Sequence, residues 1–208
     1  MAKINEKIFV IDDDVSVRRS LPMLLYSADY EVETFSSSED FINREPFKGT
    51  GCILLDIDLG GKNGLELQEE LLQRQYSLPI IFITGKGGVP ESVRALKKGA
   101  INFLQKPFDD DLLLDSVKEA VLKSQEMEKE FDELLKIQSS LSNLTERELE
   151  ILEYVVTGML NKQIAYKLDI TEHTVKLHRG SITKKLGVKS VTQLVRIAEK
   201  VGLKSPQN

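Results

Sequence analysis

The chain of 208 residues is long enough for two small domains, and its apolar and charged fractions, 41% and 29%, are ordinary for a globular protein. It has no apolar run of about 18 residues that could span a bilayer. No basic region followed by an apolar region opens the sequence, so we expect no export. Its single cysteine, Cys52, can form no internal disulfide. We therefore expect a cytoplasmic protein without a membrane partner.

The net charge of −5 is unevenly distributed along the chain. Residues 1–140 carry 17 basic and 26 acidic residues, whereas residues 141–208 carry 11 basic and 7 acidic residues. An acidic front and a basic rear predict two domains with different partners, and a basic rear favours a polyanion.

Residues 1–125 alternate short apolar runs with amphipathic stretches. The runs that we predict as strands are 7–11, 31–35, 52–56, 79–84 and 101–105. Between them lie helical patterns, such as the spacing of Leu65, Leu67, Leu71 and Leu72. Apolar strands that alternate with helices predict an α/β domain with a doubly wound, five-stranded parallel sheet, covered by helices on both faces.

The pattern changes after the fifth predicted strand. Apolar residues recur at steps of four and three as far as Leu141, and no glycine or proline occurs in 109–141. This pattern predicts one long helix that leaves the first domain and serves as a linker over 124–141. Because Ser124 and Gln138 interrupt the apolar seam, a solvated helical spacer and a coiled coil both remain open.

The rear of the chain, residues 142–208, contains no strand signal. Its four amphipathic stretches predict a compact all-α domain of four helices. The predicted N-cap side chains of the first three helices are Thr145, in a capping box with Glu148, then Asn161 and Thr171.

Several carboxylates follow the ends of predicted strands. Asp12, Asp13 and Asp14 come directly after the first strand, and Asp56 ends the third. We expect Asp14 to be a helix N-cap. In an open parallel sheet, ligands bind outside the carboxyl ends of the strands, so Asp12, Asp13 and Asp56 should meet if these two strands are neighbours. Three crowded carboxylates are costly without a cation, and hard oxygen ligands suit Mg²⁺.

A hydroxyl and an ammonium belong to the same predicted edge. Thr84 closes the fourth strand, and Lys106 lies just after the fifth. Carboxylates, a hydroxyl and an ammonium together predict a phosphoryl site. One carboxylate would act as the nucleophile, a metal and the lysine would take up charge, and the hydroxyl would bind an oxygen.

Four motifs, IDDD, LLDIDLG, FITG and QKPF, occur in this order and at a spacing that resembles the receiver domain of two-component response regulators. The resemblance implies a flavodoxin/CheY-like fold over residues 1–123 and a histidine kinase as phosphodonor. The residue roles that it implies are Asp56 as phosphoacceptor, Asp12, Asp13, Asp56 and the backbone carbonyl of Asp58 as Mg²⁺ ligands, Thr84 and Phe103 as the switch pair, and Lys106 as a phosphoryl contact.

One loop departs from the family pattern. After Asp56 the chain reads DLGGKNG, where the family usually has a Met-Pro pair followed by glycine. Two glycines predict a looser loop at this point.

An enzyme is the alternative for the front half. Asp56 and Asp58 also resemble the nucleophile motif of phosphatases of the haloacid-dehalogenase type. That motif has Thr or Val where this chain has Gly60, and it needs an acidic pair on a later strand, whereas the pair here lies earlier. We therefore expect a protein that is not an enzyme.

Three blocks of the rear half, LTERELEILEYVVTG, NKQIAYKLDI and TEHTVKLHRGSITKKLGVKS, resemble the helix-turn-helix of the LuxR type. With a receiver in front, the whole chain is similar to transcriptional regulators of the NarL/FixJ family, in particular its FixJ/StyR-like members. The resemblance implies binding to double-stranded DNA and a homodimer when the receiver is phosphorylated.

The third helix of the rear half has two distinct faces. Val175, Ile182 and Leu186 should pack inward, and the opposite face carries Lys176, Leu177, Gly180 and Lys184. A helix of this kind fits the major groove of DNA. By the resemblance, positions 176, 177 and 180 face bases. Since Gly180 is short for that task, either the backbone approaches the DNA closely there or the contact is lost.

Other side chains of the rear half are candidates for contacts with DNA phosphates, which position the protein without specifying sequence. They are Lys162, Thr174, Arg179 and Lys185. The alternatives for this half are a protein-binding module and a sigma-factor-like domain that binds RNA polymerase.

Overall fold

The computed structural model describes residues 6–85 and 89–203. The elements in these ranges are β1 Glu6–Ile11, α1 Val15–Ser27, β2 Glu31–Phe35, α2 Ser38–Ile42, β3 Thr50–Asp56, α3 Gly64–Gln73, β4 Ile80–Thr84, α4 Val89–Lys97, β5 Asn102–Gln105, α5 Asp110–Leu141, α6 Glu146–Val156, α7 Asn161–Leu168, α8 Glu172–Lys185 and α9 Val191–Lys200. They form two compact units that divide between Lys129 and Glu130, within α5. None of the helices in the described part of the chain combines the length and apolarity that a membrane span requires.

The first unit is built on a parallel sheet of five strands in the order β2-β1-β3-β4-β5. This confirms the predicted fold. Successive side chains of a strand point to opposite faces, so Phe9 and Ile11 pack into one core while Ile8 and Val10 pack into the other. The central strand β3 is buried along its whole length, as expected for a strand covered by helices on both faces.

The long helix α5 remains attached to the sheet up to its fifteenth and sixteenth residues. The hydroxyl of Ser124, which is buried, accepts a hydrogen bond from the Gly51 N–H at 3.1 Å. The amide of Gln125 donates to the Glu6 carboxylate at 2.7 Å. The predicted division into residues 1–123, a linker over 124–141 and residues 142–208 stays a prediction, but the first residues of that linker contact the sheet.

The second unit contains the four predicted helices, α6 to α9, around one core. Thr145 and Glu148 form the predicted capping box at the start of α6. Thr171 caps α8, because its hydroxyl accepts a hydrogen bond from the Thr174 N–H at 3.1 Å. Both N-caps are predictable from the sequence, because each joins a capping side chain to the residue three positions later.

The predicted N-cap of α7 was wrong. Asn161 is the first residue of α7, and the N-cap is Leu160, whose N–H donates to the side-chain oxygen of Gln163 at 2.8 Å. Asn161 lies inside the helix, and its side chain bonds to another element. Its side-chain oxygen accepts a hydrogen bond from the Arg179 guanidinium at 2.6 Å, which joins α7 to α8.

A buried carboxylate joins α6 to α8 in the second unit. Glu148 is 4% exposed, and its oxygens accept hydrogen bonds from the Lys185 ammonium at 2.6 Å, the Ser181 hydroxyl at 2.6 Å and the Thr145 N–H at 2.8 Å. The same ammonium donates to the Asn143 carbonyl at 3.0 Å. The bonds from Lys185, Ser181 and Thr145, in that order, lower the pKa of Glu148 from its ordinary value of 4.5 to about 2.

Replacement of Glu148 by Gln should destabilise the protein at neutral pH by about 2 kcal/mol, since the amide cannot pair with the Lys185 ammonium. Because folding lowers the pKa of Glu148, its stabilisation is complete above its ordinary pKa of 4.5 and is lost as the pH falls through about 2. The difference in free energy of unfolding between wild type and Glu148→Gln should therefore shrink as the pH falls through that range. Urea unfolding, monitored by circular dichroism at several pH values, measures this difference.

Glu150 provides a matched control on the same helix. Its carboxylate pairs with Arg147 at the surface, where 44% of the Glu150 side chain is exposed. Glu150→Gln should change the free energy of unfolding by less than about 1 kcal/mol at any pH. A loss in Glu148→Gln that is no larger than this, or that does not depend on pH, would contradict the prediction.

Candidate functional site

The strand order brings three carboxylates together. Asp12 and Asp13 follow β1, Asp56 ends β3, and these strands are neighbours with Ile11 opposite Leu55. One oxygen from each of the three carboxylates lies within 4.8 Å of the other two. Asp12 is 0% exposed and Asp56 is 6% exposed, whereas Asp13 is open to solvent. We call this cluster of Asp12, Asp13 and Asp56 the acidic pocket.

The ammonium of Lys106 reaches the acidic pocket from the end of β5. It lies 2.7 Å from Oδ2 of Asp12 and 3.0 Å from Oδ2 of Asp56. Burial raises the pKa of Asp56, and the hydrogen bond from Lys106 opposes this effect. Burial alone would lower the pKa of Lys106, but its hydrogen bonds to Asp12 and Asp56 outweigh burial and raise it. Lys106 therefore stays charged and partly balances the carboxylates.

Asp12 is held by partners on every side, one of which the sequence did not suggest. Its N–H donates to the Phe35 carbonyl at 3.2 Å, and its Oδ1 accepts from the Asp14 N–H at 2.9 Å. Its backbone carbonyl accepts a hydrogen bond from Nη1 of Arg18 at 2.6 Å. Arg18 was not among the predicted site residues, although its position in the second turn of α1 places it near the end of β1. Asp14 caps α1 as expected, with its side chain on the Ser16 N–H at 2.7 Å.

Thr84 and Phe103 lie on neighbouring strands. Thr84 is the last residue of β4 and is completely buried. Phe103 pairs in register with Phe82 of β4, and their ring centroids are 6.4 Å apart. The Phe103 side chain packs against the core that contains Phe9 and Ile11. It is only partly buried, so it lies at the border between core and surface. Its role as a switch residue stays a prediction.

The loop after Asp56 passes close to the acidic pocket. The Asp58 N–H lies 3.4 Å from Oδ1 of Asp56. Gly60 has a φ of +66°, and a Cβ at this position would lie 3.1 Å from Oδ2 of Asp13. Glycine therefore permits both the backbone conformation and the short approach. The far end of the loop is fixed, because Asn63 and Glu66 form a capping box on α3.

The acidic pocket fits a divalent metal ion. The three carboxylates of the pocket face one ammonium, that of Lys106, which contacts Asp12 and Asp56, so negative charge is in excess. Oxygen ligands of this kind are those that Mg²⁺ prefers, and Asp13 keeps one side of the pocket open to solvent. Among the described residues, no other group of three or more acidic, histidine or cysteine side chains is arranged to hold a metal ion.

The second candidate site is the exposed face of α8. Val175 and Ile182 are buried in the core of the second unit, as predicted. The side chains predicted to face DNA bases or the groove are exposed: Lys176, Leu177, Gly180 and Lys184. Leu177 is 61% exposed, and a Cβ added to Gly180 would meet no atom within 4 Å. The chain itself therefore offers no packing reason for a glycine in the middle of this helix.

The four candidates for phosphate contacts differ in their surroundings. Lys162 is exposed on α7. The hydroxyl of Thr174 lies 2.8 Å from that of Thr171, and Arg179 donates to Asn161. Lys185 is bound to Glu148 and to the Asn143 carbonyl. A phosphate would have to compete with a buried carboxylate for Lys185, so Lys162 is the clearer candidate.

Two known families cover most of the chain. Residues 8–118 match the response regulator receiver domain, and residues 142–198 match the bacterial regulatory proteins of the luxR family. The acidic pocket lies in the first match, and the exposed face of α8 lies in the second.

Several known proteins align with nearly the whole chain. Nodulation protein W of Bradyrhizobium diazoefficiens is 39% identical over 94% of this chain and 86% of its own length. The transcriptional regulatory protein TdiR of Thauera aromatica is 43% identical over 90% of this chain and 83% of its own length. A low-resolution structure of the response regulator StyR shares 42% identity and a TM-score of 0.81, over 94% of this chain and 99% of that one. The chain belongs to the FixJ-like response regulators, transcriptional regulators that join a receiver domain to a LuxR-type DNA-binding domain.

Proposed function

We propose that Asp56 accepts a phosphoryl group from a histidine kinase and that this phosphorylation controls the binding of the LuxR-type domain to double-stranded DNA. The observation that carries the proposal is the position of the Asp56 carboxylate, 3.0 Å from the Lys106 ammonium and within the acidic pocket. A carboxylate that faces a cation at the carboxyl edge of a parallel sheet is placed to receive an anionic group.

Of the three carboxylates, Asp56 is the best suited to act as the nucleophile. Both oxygens of Asp12 are engaged, one by the Asp14 N–H and one by Lys106. Oδ1 of Asp56 has a long contact of 3.4 Å to the Asp58 N–H and is a weak acceptor there. An oxygen of Asp56 would form the new bond to phosphorus while the bond from phosphorus to the donor breaks. Lys106 would balance the charge on the phosphoryl oxygens.

The residues that would hold Mg²⁺ are Asp12, Asp13, Asp56 and the backbone carbonyl of Asp58. The crowding of the three carboxylates within 4.8 Å supports this assignment, because a cation relieves their repulsion. The ion supplies, when bound, positive charge beside the phosphoryl oxygens.

We propose that Thr84 and Phe103 transmit the phosphorylation. The Thr84 hydroxyl would turn toward the phosphoryl oxygens, and the Phe103 ring would move inward into the space that this motion vacates. The position of the two residues on adjacent strands supports a coupled movement. Phosphorylation would then shift the population between two states of the α4–β5–α5 surface, so some activity remains without it.

A homodimer of the phosphorylated protein is part of the proposal. Apolar side chains on α4 and α5 are exposed to solvent: Val93, Leu96, Leu112 and Leu122. A second copy of the chain would cover apolar side chains on these two helices.

We further propose that the protein acts in the cytoplasm as a regulator and not as an enzyme. Its receiver domain would span residues 1–123, its helical linker 124–141 and its DNA-binding domain 142–208. The division between the two compact units falls inside this linker, which supports these boundaries. Membership of the FixJ-like family disfavours both the phosphatase and the protein-binding module.

Treatment with acetyl phosphate and a magnesium salt should add one phosphoryl group to the wild type and none to Asp56→Asn, because the amide is not a nucleophile. Intact-protein mass spectrometry measures the adduct. Asp58→Asn is the matched control, since it changes a neighbouring carboxylate but keeps the backbone carbonyl, and it should still be modified. An adduct that persists in Asp56→Asn would exclude Asp56 as the sole acceptor.

Lys176 and Lys162 should have different effects on DNA binding. Lys176→Ala should cost about 1–3 kcal/mol on the true operator and reduce discrimination between sites, because Lys176 reads bases. Lys162→Ala should weaken all sequences alike and lower the slope of affinity against salt by about one unit. Binding isotherms on operator and random duplex over a salt series distinguish the two effects.

Lys185→Ala is a poorer probe of phosphate contact, because it also leaves the buried Glu148 carboxylate without its ammonium partner. If Lys162→Ala relaxes specificity and Lys176→Ala does not, the proposed orientation of α8 is wrong. If neither variant changes DNA binding, the second unit binds a protein and the assignment of DNA contacts fails.

Gly180→Ala should stabilise the fold while weakening operator binding. Alanine is favoured over glycine in a helix by about 1 kcal/mol, and the open space around Gly180 removes any clash within the chain. The added methyl group would instead meet DNA that approaches the helix backbone closely. Thermal unfolding and operator isotherms measure the two effects. Operator binding that is unchanged or tighter would show that no close approach occurs at Gly180.

A further inference from the structure

The segment Asp12–Asp14 connects β1 to α1 and carries two of the three carboxylates of the acidic pocket. Its first residue, Asp12, is fixed by hydrogen bonds to its N–H, its carbonyl and both of its carboxylate oxygens. Its last residue, Asp14, is fixed as the N-cap of α1. Asp13, between them, is exposed, and the two flanking residues hold the backbone that carries its carboxylate.

Arg18 closes this segment from the side of the helix. Its half-buried side chain reaches back along α1 so that Nη1 lies 2.6 Å from the Asp12 carbonyl oxygen. That carbonyl and the N–H of Asp13 belong to the same peptide group. A charge-assisted hydrogen bond to it restricts the rotation of this peptide, and the direction of the Asp13 side chain follows.

We propose that Arg18 is a positioning residue of the acidic pocket: it orients the Asp13 carboxylate through the Asp12–Asp13 peptide and thereby sets the affinity for Mg²⁺. This inference rests on the proposed Mg²⁺ site. Arg18 is neither one of the proposed metal ligands nor a proposed phosphoryl contact. It acts on the ligand Asp13 as hydrogen-bonded partners of metal ligands commonly do.

The direction in which Mg²⁺ affinity changes when Arg18 is removed distinguishes a positioning role from a purely electrostatic one. The Arg18 guanidinium is always charged and lies beside a site for a cation. If charge were its whole contribution, its removal would take away a repulsion and Mg²⁺ would bind more tightly. If Arg18 positions Asp13, its removal weakens Mg²⁺ binding in spite of the lost positive charge.

The test is a magnesium titration of the unphosphorylated full-length protein by isothermal titration calorimetry. Arg18→Ala should raise the dissociation constant for Mg²⁺ about tenfold. Arg18→Lys keeps the charge and a donor on a side chain of similar length, so it should restore most of the affinity. Arg19→Ala is the matched control, because Arg19 is the neighbouring arginine of α1 and is exposed. It should leave the dissociation constant unchanged or slightly lower.

Thermal unfolding without magnesium reports whether each variant is folded. If Arg18→Ala is not folded, Arg18→Gln takes its place, since glutamine keeps part of the stem but ends short of the Asp12 carbonyl. An affinity in the folded variant that equals or exceeds that of the wild type overturns the inference.

Asp13→Asn distinguishes failure of this inference from failure of the proposed site. Suppose that the wild type binds magnesium, that Asp13→Asn does not, and that Arg18→Ala binds it as tightly as the wild type. This result leaves the proposed site intact and refutes only the role of Arg18. A wild type that binds no magnesium, or an Asp13→Asn variant that binds it equally well, overturns both.

Discussion

The Lys106 ammonium, hydrogen-bonded to both Asp12 and Asp56, is the interaction on which the first unit's site depends. Two carboxylates this deeply buried repel each other, and a buried charge without a partner costs several kcal/mol. The strand order makes the interaction possible, because it places the ends of β1 and β3 side by side and lets a long side chain reach in from β5. The acidic pocket is therefore a consequence of the topology as much as of the residues.

Both units keep local features that do not favour stability. In the first, a third carboxylate, Asp13, adds negative charge to a pocket that already has an excess. In the second, Gly180 lies in the middle of α8 on its exposed face and touches nothing that would need a glycine. Features that cost stability without a benefit inside the chain are expected where a protein meets its ligands. The acidic pocket fits a divalent metal ion, and α8 presents the face that we propose to contact DNA.

The second unit also shows that a basic residue on α8, the helix proposed to enter the major groove, can serve the fold. Lys185 lies on α8 beside residues that are proposed to contact DNA, yet its ammonium satisfies the buried Glu148 carboxylate and the Asn143 carbonyl. This pairing joins the start of α6 to the end of α8. Positive charge on a helix thus identifies a candidate for DNA contact, and the partners of each side chain decide whether it is available.

The sequence by itself determined the secondary structure and the position of the pocket. Hydrophobic periodicity sums over many residues, and so the five strands and the helices were predictable. The carboxyl ends of parallel strands lie at one edge of the sheet, and this predicted that Asp12, Asp56, Thr84 and Lys106 share that edge. Only the tertiary structure decided that Arg18 binds the Asp12 carbonyl, that Asn161 pairs with Arg179, and that Lys185 pairs with Glu148. Each of these polar side chains has several partners of similar energy within reach along the chain, and the packing of the elements selects one by distance and direction.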